Sequence, residues 1–301
     1  MTFSSKVKNE LCRVAVREDH SAAAELYGIF LFGNTFGTEG IRIVTENEAV
    51  SQRAKSLLKR VFNMSFVCSK TGRKIIKDVL EITDNEEIQT IMEHYGYDTS
   101  RTFTLHLNAA FLEEDNHRES FIRGAFLAAG SVSSPSKNYH LELVTRHYYL
   151  SREVMALLLD MGFSPKKTMR KSNYMIYFKD SESIEDFLTK SGAPSSAIAL
   201  MEAKVVKDLR NRVNRIVNCE TANLSKTVVA AQRQIESINK LKESGAYEGL
   251  TEKLRQSAEL RLEHPHATLG ELVKLAPFEV SRSGLNHRLA KLVELAEEEV
   301  E

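Results

Sequence analysis

One order of elements occurs twice in the first two-thirds of this chain, and it restricts the fold more than any other feature. The first copy opens with an apolar helical segment, AAAELYGIFLFGN, at residues 22–34. A strand-like GIRIVTEN follows, then a helix AVSQRAKSLLKRVFNM, a strand pair across Lys70-Thr71-Gly72-Arg73, and a helix from about Asn85. The second copy opens with RESFIRGAFLAAGS at residues 118–131. It continues with a strand YHLELVT, a helix SREVMALLLDMGF, strands across Arg170-Lys171-Ser172-Asn173, and a helix from about Ser183. Gly28 and Gly124 hold corresponding places in the two leading helices. A duplicated unit of this kind predicts an α+β domain over residues 1–195, with repeats at about 20–95 and 118–192 and the leading helices at a pseudo-twofold axis.

Pro194-Ser195-Ser196 closes this region, and residues 196–250 read as a basic helical linker. Residues 202–243 carry nine basic side chains against five acidic ones, a local balance of 9 − 5 = +4. The short polar residues Asn218, Thr221, Asn223 and Ser225 compete for backbone hydrogen bonds, so a bend or cap, and hence a hinge, is expected within NCETANLSKT. Residues 251–301 read as an all-α domain of three helices.

Composition fits two cores in 301 residues, with 42% hydrophobic and 27% charged side chains. No apolar run approaches the roughly 20 residues of a membrane span, and MTFSSKVKNEL lacks the apolar core of a signal peptide, so a cytoplasmic location is expected. Cys12, Cys68 and Cys219 stand far apart without a C-x-x-C pair, and His264 and His266 flank Pro265 as at a helix exit. Neither a metal nor a cofactor is expected from them. Formal net charge is zero, so a nucleic-acid binder of this composition must segregate its charge. It does: the basic linker is followed by a tail with Glu294, Glu297, Glu298, Glu299 and Glu301.

The C-terminal helices have local start and stop signals. Thr251 is placed to cap a helix that runs to about Glu263, before His264-Pro265. Thr268 and Glu271 have the spacing of a capping box, and Leu269, Leu272, Val273 and Leu275 form a core face behind them. Pro277 disfavours helix at Ala276, which makes Ala276-Pro277-Phe278-Glu279 a turn. Ser281 caps the third helix, with Val280 and Leu285 at hydrophobic-staple spacing. Leu285, Leu289, Leu292 and Ala296 face inward, leaving Arg282, Ser283, Asn286, His287, Arg288 and Lys291 on the other face. Asn and Arg suit adenine and guanine edges, and cations suit phosphates, so this face reads as a recognition helix for double-stranded DNA. Arg282 and Asn286 are the expected base contacts; Lys291, later on the helix, is the expected phosphate contact. The competing reading of these three helices is an interaction module with a solvated polar face. With no strand pattern for a wing, the arrangement is a simple helix-turn-helix. In the linker, Arg210, Arg212, Asn214, Arg215 and Lys226 could contact phosphates or could solvate a connecting helix.

The segments HPHATLGELVKLAPFEVSRSGLNHRLAKL and NRVNRIVNCETANLSKTVVAAQRQIESI, with the SSKVKNEL start, resemble the WhiA family of Gram-positive bacteria over almost the whole chain. The resemblance implies a degenerate LAGLIDADG homing-endonuclease-like domain joined to a C-terminal helix-turn-helix. It also implies a DNA-binding protein, associated with the nucleoid, acting in transcription regulation, cell division and chromosome segregation, or in sporulation where the organism sporulates. In LAGLIDADG nucleases each leading helix delivers a metal-holding acid at its end. Laid on this chain, that motif puts Gly33 and Ala129 at the two acid positions, while Glu25, Glu39 and Glu119 lie near but off it. Phosphodiester cleavage through two metals needs those carboxylates, so no enzymatic activity is expected. Both hairpins are basic, with Lys70, Arg73, Lys74 and Lys77 in the first and Lys166, Lys167, Arg170 and Lys171 in the second. They could retain a surface for an anionic partner or could be ordinary solvated hairpins. The alternative function is a scaffold whose duplicated domain binds other regulatory or division proteins, with nucleoid association secondary.

Overall fold

The computed structural model describes residues 1–72, 75–98 and 104–298. Its chain forms two compact units, Met1–Asp208 and Leu209–Glu301.

The first unit opens with α1 (Phe3–Leu11) and then runs α2 (Asp19–Leu31), β1 (Thr35–Gly37), β2 (Gly40–Thr45), α3 (Glu48–Phe62), β3 (Val67–Thr71), β4 (Lys77–Ile82) and α4 (Asn85–His94). The same order returns as α5 (Asp115–Ala129), β5 (Gly130–Val132), β6 (Leu141–Thr145), α6 (Tyr148–Asp160), β7 (Lys166–Arg170), β8 (Asn173–Phe178) and α7 (Ser181–Ser191). Each repeat builds one antiparallel four-stranded sheet, ordered β1-β2-β4-β3 and β5-β6-β8-β7. The duplication is therefore present, with one correction: each repeat has an additional short strand, β1 or β5, directly after its leading helix. Three residues are too few to display the alternation by which a strand is read.

Local chemistry fixes the boundaries. The carboxamide oxygen of Asn47 accepts the N–H groups of Ala49 and Val50 at the start of α3, and Asp84 does the same for Glu86 and Glu87 at α4. The two hairpins differ. Arg170 pairs with Asn173, and Lys171 and Ser172 both have left-handed backbone, with φ of 48° and 63°, as a two-residue turn matched to strand twist requires. In the first hairpin Thr71 pairs with Lys77, so Lys70 and Thr71 are strand residues and the connection lies beyond them. The turn expected at Lys70-Thr71-Gly72-Arg73 is displaced accordingly, and Arg73 and Lys74 lie outside the described residues.

The leading helices cross at their glycines. A Cβ on Gly28 would stand 2.2 Å from the carbonyl oxygen of Phe121, and one on Gly124 would stand 1.9 Å from that of Glu25. Only a residue without a side chain permits this approach. Around the crossing α2 is buried on every side from Ser21 to Leu31, the pattern of a helix at the centre of a core. That burial includes a charge: Glu25 is 0% exposed. Its carboxylate accepts two hydrogen bonds from Arg53 of α3, at 2.7 and 2.8 Å, and one from Arg123 of α5, at 2.9 Å. Arg123 also donates to the Ser191 carbonyl and the Ser120 hydroxyl. Every member of the cluster is satisfied, which a charge out of water requires.

α8 (Pro194–Ser244) is one continuous helix. Pro194 takes the first position, where its missing N–H costs nothing. The Glu10 carboxylate of α1 accepts the N–H groups of Ser195 and Ser196 at 2.7 and 3.0 Å. The break expected at NCETANLSKT does not occur. The Thr227 hydroxyl donates to the Asn223 carbonyl one turn back, and the other short polar side chains face solvent, so they compete too weakly to open the backbone.

The second unit completes itself with α9 (Glu252–Glu263), α10 (Leu269–Leu275) and α11 (Arg282–Glu298). Ile238 and Leu241 from the end of α8 join Leu260, Leu272, Leu285, Leu289 and Leu292 in its core. Among the described residues it contains no strand, in keeping with a wingless helix-turn-helix.

Candidate nucleic-acid interface

The turn between α10 and α11 is set by three local devices. The Thr268 hydroxyl accepts the Glu271 N–H at 3.3 Å, and the Glu271 carboxylate accepts the Thr268 N–H at 2.7 Å. Those hydrogen bonds hold the Glu271 carboxyl below its ordinary range. Ala276 before Pro277 is extended, at φ −62° and ψ 125°, and ends α10. The Ser281 hydroxyl accepts the Gly284 N–H at 3.1 Å and starts α11. Thr251 is positioned at the N-cap of α9, but its side chain makes no capping hydrogen bond.

A fourth device was invisible in the sequence. Arg261, 2% exposed, donates to the carbonyls of Ala267 and His264, at 2.7 and 3.4 Å, and ties the end of α9 to the segment entering α10. Burial pulls its guanidinium below the ordinary arginine value. An arginine at helical spacing reads as a surface residue; only the three-helix packing shows that it lies inside.

On α11 the inward set is fully buried: Leu285, Leu289 and Leu292 are each 0% exposed. Ser281, Arg282, Ser283, Asn286 and His287 are exposed. Among the described residues, Arg282, Ser283, Asn286 and His287 have no side-chain hydrogen bond or ion pair, so their donors and acceptors are open to a ligand. Arg288 is half-buried with its guanidinium 5.6 Å from the Phe278 ring centroid. Lys291 donates to Glu294 at 2.8 Å, which holds its ammonium above the ordinary lysine value. The polar face thus separates into an unpaired first half and a second half engaged within the chain.

Arg210, Arg212, Asn214, Arg215 and Lys226 are all exposed on α8. Helical spacing puts Arg212, Arg215 and Lys226 on one side and Arg210 and Asn214 on the other, so they do not form one surface.

In the first unit, Gly33 and Ala129 line one cleft of about 330 Å³, together with Asn34, Arg146, His147 and Asn173. No carboxylate lines it. Burial, then the neighbouring Arg146 charge, lowers the His147 pKa. Glu25 is consumed by Arg53 and Arg123, and Glu39 is exposed. Among the described residues no three His, Cys, Asp or Glu side chains are grouped to hold a metal ion.

The hairpin cations also separate. Lys70 and Lys77 lie on opposite faces of the first sheet, and Lys77 is paired with Glu46 at 2.6 Å. On the second sheet Lys166 and Arg170 share the face away from the helices, whereas Lys167 stacks over Tyr148 and Tyr174, at 4.7 and 5.2 Å. Among the described residues no helix is long and apolar enough to cross a membrane.

Comparison with known proteins places these features. The family model for the WhiA C-terminal HTH domain matches residues 213–296, and that for the WhiA LAGLIDADG-like domain matches residues 118–210. A probable cell division protein WhiA of Clostridium novyi is 40% identical over 99% of this chain and 98% of its own length. One of Clostridium tetani is 39% identical with the same coverage. The crystal structure of full-length DUF199/WhiA from Thermatoga maritima covers 99% of both chains at 24% identity, with a TM-score of 0.59, and so shares the fold.

Proposed function

The chain belongs to the WhiA family, and from that premise we propose that it is a non-enzymatic DNA-binding regulator that reads double-stranded DNA through α11. The observation that carries this reading is the exposed, unpaired face of Arg282, Ser283, Asn286 and His287 on a helix started by Ser281 and backed by a leucine core. Arg282 and Asn286 lie in its first turns, where a recognition helix meets base edges. Arg288 and Lys291 are assigned to phosphates. The exposed cations of α8 add counterion-releasing contacts, with Arg212, Arg215 and Lys226 as one group and Arg210 and Asn214 as a second.

The process is cell division, with chromosome segregation and, in sporulating organisms, sporulation as the setting, and transcription regulation at the cytoplasmic nucleoid as the means. The relatives named as probable cell division proteins support the cell-division part of this reading. Loss of chemistry at the first unit follows from Gly33 and Ala129, which offer no carboxylate to a divalent metal, and from the commitment of Glu25 to two arginines. Incubating plasmid with the full chain and magnesium leaves it intact under this reading; nicking would overturn it.

A second reading makes the duplicated unit a protein-binding scaffold. The pairing of Arg42 with Glu81 and of Lys77 with Glu46, which engages two cations of the first sheet within the chain, favours it. A deletion strain carrying Arg282→Ala with Asn286→Ala decides between them: failure to complement supports DNA reading, and full complementation supports the scaffold.

A further inference from the structure

The two repeats build matching clefts, and only one of them is filled from within the chain. Thr45, Glu46 and Asn47 join β2 to α3, and Thr145, Arg146 and His147 join β6 to α6. In each junction the threonine hydroxyl accepts the N–H two residues on, from Asn47 at 3.1 Å and from His147 at 3.2 Å. Strand register pairs Thr45 with Asp78 and Thr145 with Tyr174, which sets Glu46 beside Lys77 and Arg146 beside Asn173. Backbone and register match. The charge is reversed at the first of these positions and removed at the second.

The first cleft, of about 440 Å³, is satisfied internally. Glu46 pairs with Lys77 at 2.6 Å. Ser4, Ser5 and Lys8 of α1 line it, and Lys8 donates to the Leu127 carbonyl near the end of α5 at 3.0 Å. Asn47 donates to Asn9 of α1 at 2.8 Å and caps α3 with its carboxamide oxygen.

The second cleft, of about 330 Å³, has no residue of α1 in its lining. Arg146 lines it, is exposed, and has no ion pair or side-chain hydrogen bond among the described residues. His147 holds the place of Asn47, yet its side chain caps nothing. The Asn34 carboxamide spends its oxygen on the Val44 N–H at 2.7 Å, which leaves its own N–H groups to donate. Asn173 has no side-chain hydrogen bond among the described residues and completes the set.

Arginine can only donate, and the open groups around it are donors or can act as donors. A phosphate group offers more acceptor oxygens than a carboxylate and matches the planar fork of arginine. The cleft lies at the small end of ligand sites, which run from about 300 to 1,000 Å³. We propose that the second cleft binds a phosphate group, which supplies from outside the negative charge that Glu46 supplies within the first. A small phosphorylated molecule and a DNA backbone phosphate present the same chemistry, and the test separates them. The site does not rest on reading by α11.

The test titrates inorganic phosphate into the full-length, ¹⁵N-labelled chain at constant ionic strength, with a chloride titration beside it. Saturable shifts of the Arg146, His147 and Asn173 amide signals are expected. Arg146→Glu, which gives this junction the residue found at position 46, should abolish them, and Arg146→Ala should weaken binding at least tenfold. Lys59→Glu, the same charge change at an exposed position on α3, should leave them intact. Adenosine monophosphate and a duplex oligonucleotide then identify the source. A free phosphate ester is the ligand if the monophosphate moves these signals at concentrations at least tenfold below those of inorganic phosphate. The DNA backbone is the ligand if only the duplex does so, and Arg146→Glu weakens it at least threefold while Lys59→Glu does not. If neither improves on inorganic phosphate, the cleft takes an adventitious ion only and the proposal is overturned. It is equally overturned if phosphate moves the signals no more than chloride, if both Arg146 variants bind as the wild type does, or if Lys59→Glu loses as much.

Discussion

Two regions of this chain carry the residue types of a DNA-binding surface, and they treat their polar groups in opposite ways. In the duplicated unit several charges turn toward one another: Glu25 to Arg53 and Arg123, Arg42 to Glu81, Lys77 to Glu46. In the C-terminal unit the first half of α11 turns Arg282, Asn286 and His287 outward with no partner among the described residues. The difference teaches that a LAGLIDADG-like unit can spend part of its charge on holding its own helices and strands together. Under the proposed function, reading falls to the region that keeps its donors and acceptors free.

Changes to the buried cluster should break that contrast most strongly. Glu25→Ala leaves two arginines, one of them nearly fully buried, without their carboxylate, and should cost about 3–5 kcal/mol in urea unfolding of the first unit. A loss below 1 kcal/mol would mean that the cluster does not hold the helices together. Gly124→Ala pushes a methyl group against the Glu25 carbonyl and should cost about 1–3 kcal/mol by the same measurement. In the second unit Thr268→Ala removes half of the capping box and should cost about 1 kcal/mol, read as a lower melting temperature.

The smallest expected effect separates the units by pH. His94 and His117 both have pKa values lowered, by burial first and then by the charge of His20. His20 and His94 both contact the Phe111 ring, His117 packs against His20 with the rings tilted, and Glu114 and Glu18 partly offset the effect at His117. The unfolded chain then takes up protons that the folded unit resists. Stability contributed by these groups is complete above about pH 6.5 and falls as the pH drops through the lowered values. Calorimetry between pH 7 and 5 should show the melting temperature of the first unit falling; a rise on acidification would contradict the assigned directions.

How much of this was legible in the sequence depended on distance along the chain. The capping box at Thr268, the Ser281 cap and the Pro277 turn are contained within four residues each, and all are present. The glycines of the crossing were legible because the repeats could be compared with each other. The partners of Glu25 lie 28 and 98 residues away, and no periodicity announces them. Arg261 was hidden for the same reason: a polar residue on an amphipathic helix shows its burial only when the neighbouring helices are in place. The missed break in α8 is the reverse error, since Asn and Thr weaken a helix by only a few tenths of a kcal/mol each relative to better formers and cannot end it without a competing structure.

The central claim is that α11 does the reading. Its most direct test is the affinity of the full-length Arg282→Ala and Asn286→Ala chains for a selected binding site and for unrelated duplex DNA, measured across a salt series. The account predicts a loss of about 1–3 kcal/mol for the selected site, relaxed preference at one base position for each variant, and unchanged binding to unrelated DNA. Equal losses on both DNAs, or none on either, would contradict it.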